Sequence, residues 1–325
     1  MPYHTNEELI ALTDGHVERA GARAALAEIG ATVEGRPIRA VTLAGPGRAP
    51  DPARPQALVA ANIHGNEVIA SEVALAIQEL AVEAAPAGPA AALLEAADLS
   101  VVAAVNLDAR AGAAAALAAG SLRGVSRRQN AHGVDLNRNF PVPSNARDVW
   151  YPLAGTSVRR LPWYRGPAPL SEPEARALVG LADRLRPAAA INLHSVGRFF
   201  LYPYCCSRDV PAHVADFRAM GEAFTAAQPR ARYRVRQCRS WYAVLGDLDD
   251  WLYDAHGTLS VTVELSRPLA GVGASPLRLV RPLSWSNPRS PEPTIENTAA
   301  ACLAALAVGV RRPHPGPLSG SAQKG

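Results

Sequence analysis

Three apolar runs in this chain each lead into a residue that can bind a metal or carry a proton. Leu58 to Ile63 precedes His64, Ala188 to Leu193 precedes His194, and Leu259 to Val263 precedes Glu264. Short continuous apolar runs of this kind read as buried strands. Helix-like stretches alternate with them and with two further strand-like runs, Ile38–Leu43 and Leu99–Val105. The helical candidates are Asn66 to Ala84, Glu172 to Leu185, Pro211 to Ala227 and Leu245 to Ala255. Such alternation calls for α/β layers around one sheet. If the three runs are neighbours in that sheet, His64, Glu67, His194 and Glu264 gather at strand C-terminal ends, where open α/β sheets build their sites.

The chemistry of those four residues is specific. Two imidazoles and one carboxylate hold Zn²⁺ and leave a fourth position open, which is the catalytic rather than the structural arrangement. His-x-x-Glu by itself is a frequent chance pattern; the second histidine and Glu264 give it weight. A carboxylate beside a zinc-bound water can take its proton and later deliver it to a leaving amine.

Several separated motifs make the chain similar to the zinc carboxypeptidases, from about Tyr3 to about Val310. Tyr3-His4-Thr5-Asn6-Glu7-Glu8-Leu9 and Val33-Glu34-Gly35-Arg36-Pro37-Ile38 resemble the family's opening helix and the turn before its second strand. Asn62-Ile63-His64-Gly65-Asn66-Glu67-Val68 resembles its first metal motif, and Gly133 to Pro141 (GVDLNRNFP) its substrate-carboxylate motif. Ser171-Glu172-Pro173-Glu174, Leu193-His194-Ser195, Leu201-Tyr202-Pro203-Tyr204, Trp241 to Tyr253 and Val263-Glu264-Leu265-Ser266 match in order and approximate spacing. The last of these are closest to the branch of carboxypeptidases N, E and D.

The resemblance implies a three-layer α/β/α domain with a central mixed, twisted sheet, and one Zn²⁺ per chain on His64, Glu67 and His194. It implies Glu264 as general base and then acid. Asn137 and Arg138 would bind the substrate's terminal carboxylate, for which a planar guanidinium offers two parallel hydrogen bonds. Tyr242 would close over the scissile amide, and Arg128, or its neighbour Arg127, would stabilise the oxyanion. Asp135 reads as an architectural hydrogen-bonding residue. Asp249, seven residues after Tyr242, falls where the family sets the base of its side-chain pocket, which implies a basic terminal residue; a solvated or capping role for Asp247, Asp249 and Asp250 is the competing reading.

The chain also departs from the family pattern. Asn106-Leu107-Asp108-Ala109 stands where Asn-Pro-Asp-Gly is usual, so an altered loop is expected there. Only about sixty residues follow Glu264, too few for the β-sandwich that the N/E/D branch appends. The expected organisation is one catalytic domain over residues 1–310 and a disordered tail over 311–325, with no pro-segment. The expected substrate is a peptide or acyl-amino acid with a free carboxylate. Cleavage of murein peptides by an amidase, and deacylation of N-acyl amino acids in the manner of aspartoacylase, are the alternatives; a catalytically silent binding protein is a third.

Composition excludes other classes. The net charge of +4 comes almost wholly from arginine, with Lys324 the only lysine, and the arginines are scattered among acids. A nucleic-acid binder would concentrate them. No run is long and apolar enough to span a membrane, and no signal peptide is visible from Met1 to Thr13. The four cysteines lack a metal spacing, and Cys205-Cys206 is a poor disulfide, so free thiols and a cytoplasmic enzyme are expected. The proline- and aromatic-rich segment from Pro141 to Leu170 either walls the cleft or packs against the body.

Overall fold

The computed structural model describes residues 3–122, 126–146, 152–269, 283–312 and Gly316. Its eight strands form one mixed sheet. They are β1 (Ala24–Ala31), β2 (Pro37–Leu43), β3 (Gln56–Ala61), β4 (Asp98–Val102), β5 (Ala189–Ser195), β6 (Phe199–Tyr202), β7 (Arg234–Gln237) and β8 (Leu259–Leu265). Their order across the sheet is β1-β2-β4-β3-β5-β8-β6-β7. The middle four, β4, β3, β5 and β8, run parallel, while β2 and β6 flank them antiparallel.

Burial on both faces explains why the middle strands carry no alternation. Along β3, Ala57, Val59 and Ala61 join one core cluster, while Leu58 and Ala60 join the other. The first cluster is covered by α1 (Asn6–Ala20), α2 (Val68–Glu83), α3 (Ala91–Ala96), α4 (Leu107–Ala118), α6 (Val214–Ala226) and α9 (Glu292–Gly309). The second is covered by α5 (Pro173–Leu185) and α7 (Leu248–His256). A short α8 (Leu283–Ser286) packs near the first. Three layers result.

Two boundaries differ from the sequence reading in ways that matter for the site. The helix expected from Leu245 begins at Leu248, because Asp247 caps it: the side chain accepts from the Asp250 N–H at 3.0 Å. Just before it, Gly246 has φ 77°, and a Cβ there would lie 2.8 Å from the carbonyl oxygens of both Arg138 and Phe140. Only glycine lets these two backbones cross. β1, β6 and β7 were not anticipated: β1 is a largely exposed, alanine-rich edge strand and β7 a half-buried, arginine-rich one, neither with a buried apolar run.

The expectation of four free thiols is corrected. Cys205 and Cys238 form a disulfide, and Cys206 and Cys302 are buried and free. The adjacent Cys205-Cys206 pair hid a partner 33 residues away. Nearly all of the tail expected over 311–325 lies outside the described residues, as do Trp150 and Tyr151. Among the described residues no helix is long and apolar enough to cross a membrane.

Candidate active site

The parallel register brings the strand-end residues together. His194 is paired directly with Glu264 across β5 and β8, and β3 delivers the chain to His64 beside them. A tight turn then returns Glu67 to the same point. Asn62 opens that turn in the left-handed region, φ 57°, which asparagine tolerates better than most residues. Its side-chain amide donates to the carbonyls of His64 at 3.0 Å and Glu67 at 3.3 Å. Glu67 is the residue before α2, yet its carboxylate caps nothing and is left for the site.

His64 Nδ1 lies 2.9 Å from Glu67 Oε1 and His194 Nδ1 lies 3.1 Å from Glu67 Oε2. The two Nδ1 atoms are themselves 3.1 Å apart. Convergence of two imidazole nitrogens and a carboxylate fits a divalent cation, since nitrogen lone pairs turned on one another need a positive centre between them. On the far side of the His64 ring, Nε2 meets Asp135 Oδ1 at 3.1 Å. That bond fixes the ring and its tautomer, as metal-binding histidines require. Burial would push Glu67 up, but His64 and His194 outweigh it and hold the carboxyl far below the usual range. Burial pushes His194 down, which keeps its ring neutral and able to ligate.

Arg128 stands beside this cluster. Its Nε donates to Asp135 Oδ2 at 2.9 Å and its Nη1 is 3.6 Å from Glu67 Oε1. Burial opposes its charge, but Asp135 and Glu67 more than restore it. Arg127 is exposed and donates to the Ala131 carbonyl, so geometry separates the two arginines. The Ser171-Glu172-Pro173-Glu174 motif supports this segment: Asn130 donates to Glu172 at 2.7 Å and to Glu174 at 3.0 Å, pinning the loop that carries Arg128.

Glu264 is buried, and its Oε2 has no hydrogen-bond partner among the described residues. Burial and the neighbouring Glu67 push its carboxyl well up, with Arg128 opposing. His64, Glu67, His194, Arg128, Glu264 and Asn137 line one cavity of about 430 Å³. Tyr242 lines it too, its ring packed edge-on against Trp241 and its hydroxyl raised by burial. Of the segment from Pro141 to Leu170, Leu153 and Trp163 reach this wall.

Two expected site residues are not at the cavity surface. Arg138 is held behind the wall: Nε and Nη2 donate to the Leu153 carbonyl and Nη1 to that of Asn137, Nη1 lies 3.9 Å from Asp135 Oδ2, and the residue borders a separate cavity with Phe140 and Leu245. Asp249 is not at the pocket floor. Its carboxylate accepts from Ser260 Oγ, Thr262 Oγ1 and Asn192 Nδ2, and burial together with Asp247 pushes it up to about 7. Of Asp247, Asp249 and Asp250, the one that lines the cavity is Asp247. Its cap position, Asp-x-x-Asp after a glycine, was the available signal.

The zinc carboxypeptidase family model matches residues 9–270, and the chain belongs to that family. It is 27% identical over 316 residues to human carboxypeptidase D, an alignment covering 81% of this chain and 21% of that one. It is 34% identical over 99 residues to murein peptide amidase A of Escherichia coli K12, covering 30% of this chain and 38% of the relative. The structure of bovine thrombin-activatable fibrinolysis inhibitor in complex with tick carboxypeptidase inhibitor superposes with a TM-score of 0.73 at 22% identity, over 95% of this chain and 97% of that one. The chain thus spans less than two thirds of these curated relatives' lengths.

Proposed function

We propose that this protein is a zinc-dependent carboxypeptidase that hydrolyses the C-terminal amide bond of a peptide or peptide-like substrate. The observation that carries this reading is the meeting of His64, Glu67 and His194 with an unpartnered Glu264 and a charged Arg128 in one cavity. Zinc held by His64, Glu67 and His194 would supply a Lewis acid that makes water a nucleophile near neutral pH.

The chain's own residues then have separate tasks. Glu264 takes a proton from the attacking water as the C–O bond forms, and returns it to the nitrogen as the C–N bond breaks. Arg128, locked by Asp135, donates to the carbonyl oxygen as negative charge develops there. Asn137 accepts the Leu248 N–H through Oδ1, which orients its amide and leaves Nδ2 for the substrate carboxylate. Arg138 joins it by exchanging the Leu153 carbonyl for that carboxylate, a stronger acceptor. Tyr242 covers the bond being cut.

Activity should disappear with a chelator and return with zinc. Amidating the C-terminus of a good peptide should abolish most cleavage, as should Arg138→Ala, with mass spectrometry of the products as the readout. Efficient hydrolysis of the amidated peptide would overturn the exopeptidase reading and favour an amidase. The local identity to murein peptide amidase A makes murein peptides the first alternative substrates to assay, with N-acyl amino acids next.

The expectation of a cytoplasmic enzyme combines two grounds, free thiols and no visible signal peptide, and the disulfide removes the first. The Cys205–Cys238 bond favours an oxidising compartment instead, where such bonds persist.

A further inference from the structure

The cavity continues beyond the catalytic cluster, past Leu201 and Val244 and along the Cys205–Cys238 disulfide. The disulfide is thus part of the wall, and it lies at the root of the segment that carries Tyr242. Cys238 opens that segment and Val244 closes it. Both ends are attached to the same short stretch of chain. The Arg239 N–H donates to the Tyr204 carbonyl at 3.0 Å, the Val244 N–H donates to that of Cys205 at 3.2 Å, and the sulfur bridge joins Cys238 to Cys205. Inside the segment, the Trp241 N–H donates to the Cys238 carbonyl at 2.8 Å and Arg236 Nε donates to Ser240 Oγ at 2.7 Å. Those bonds turn the chain without fixing it to the body.

The two sulfurs stand on unequal supports. Cys205 belongs to the body, because its N–H and that of Cys206 donate to Asp250 of α7 at 2.8–2.9 Å. Cys238 follows β7, a four-residue edge strand that pairs with β6. Packing adds little on that side. Leu201, Cys205, Cys238 and Val244 form a cluster apart from the two main cores, Phe199 and Tyr242 pack against it, and Trp241 is exposed. Two backbone hydrogen bonds, each contributing little net once water competes for their partners, do not keep such a segment in place. The covalent bond does.

We infer that Cys205 and Cys238 are a positioning pair for Tyr242: their disulfide holds the tyrosine over the cavity before a substrate arrives, so that binding does not have to order this lid. This rests on the carboxypeptidase reading, in which Tyr242 covers the bond being cut. A lid already in place spares each encounter the entropy of fixing the side chain and its turn. His64, Glu67, His194 and Glu264 stand on the parallel strands and the turn after β3, not on this segment, so opening the disulfide releases the lid and leaves the metal cluster assembled.

The test compares zinc-loaded wild type, before and after reduction by a phosphine, with Cys205→Ala/Cys238→Ala, and repeats the comparison in Tyr242→Ala. The phosphine becomes its oxide with oxygen from water, and the bridge becomes two thiols. On one peptide substrate, kcat/KM should fall about tenfold on reduction, the scale of ordering one side chain and its turn, and should return on reoxidation. In Tyr242→Ala, already slower, reduction should change nothing, because the residue being positioned is gone; a general prop would give the same loss in both backgrounds. Hydrogen exchange reads the clamp without turnover. The Arg239, Trp241 and Val244 amides should exchange at least about tenfold faster in the reduced protein and the double variant, with β5 and β8 unchanged. Equal kcat/KM in oxidised and reduced protein, an equal loss in Tyr242→Ala, zinc released together with the segment, or unchanged exchange at those three amides would overturn the assignment. Faster exchange there on reduction, with no peptide cleaved by the oxidised enzyme, sinks the carboxypeptidase reading and leaves the clamp standing.

Discussion

The two halves of the cavity are built differently. The catalytic half sits on the parallel strands: His194 and Glu264 are register partners inside the sheet, and His64 and Arg128 are both tied to the buried Asp135. The pocket half hangs on the antiparallel flank, where Leu201, Cys205, Cys238 and Val244 form a small cluster separate from the two main cores. There a disulfide and backbone bonds to Asp250 do what sheet packing does in the other half. Under the proposed function, reaction chemistry, which tolerates little displacement, would rest on the rigid frame, and recognition would fall to loops that can vary without disturbing it.

The largest test of this contrast is in the frame. Glu264→Gln keeps shape and should retain zinc and fold, with turnover reduced at least about 10²-fold, the lower bound for losing a general acid–base group. His194→Ala should lose both activity and bound zinc, read by metal analysis. Equal zinc in His194→Ala and wild type would remove His194 from the ligand set.

The frame was also the legible half. His64, Glu67, His194 and Glu264 follow apolar runs, and a parallel sheet buried on both faces forces the ends of such runs together. The pocket half was not legible. Which of Asp247, Asp249 and Asp250 faces the cavity depends on where α7 begins, and a shift of the start from Leu245 to Leu248 moves the capping acid into the wall. Likewise β6 and β7, which carry the segments holding Cys205 and Cys238, are only four residues each. Arg138 was identified by type, but its engagement with Leu153 depends on a loop contact that no motif encodes.

A second test acts on the pocket half. Denatured, unreduced protein should titrate two thiols, and four after reduction, if Cys205 and Cys238 are bonded throughout the preparation. The double variant Cys205→Ser/Cys238→Ser should lose about 3–4 kcal/mol of stability for a loop of this length, while zinc content stays at one per chain. Loss of zinc in that variant would mean that the two halves are mechanically one.

The smallest effect concerns the buried acids behind the pocket. Burial and Asp247 push Asp249 up to about 7, and burial with Asp249 pushes Asp250 up to about 6. Both values lie above the ordinary unfolded value near 4. Between about pH 4 and pH 7 the folded chain therefore holds protons that the unfolded chain has released. Stability from these groups is complete below about pH 4 and is lost as pH rises through 6 to 7. Urea midpoints across this window should fall with pH by an amount equivalent to about one proton for each group. Asp249→Asn should remove its share of that slope without altering metal content, because its partners are Asn192, Ser260 and Thr262 rather than His64, Glu67 or His194. An unchanged slope in that variant would mean that Asp249 is ionised in the folded protein. A counter-charge would then have to reach the pocket half, which its three neutral donors do not supply.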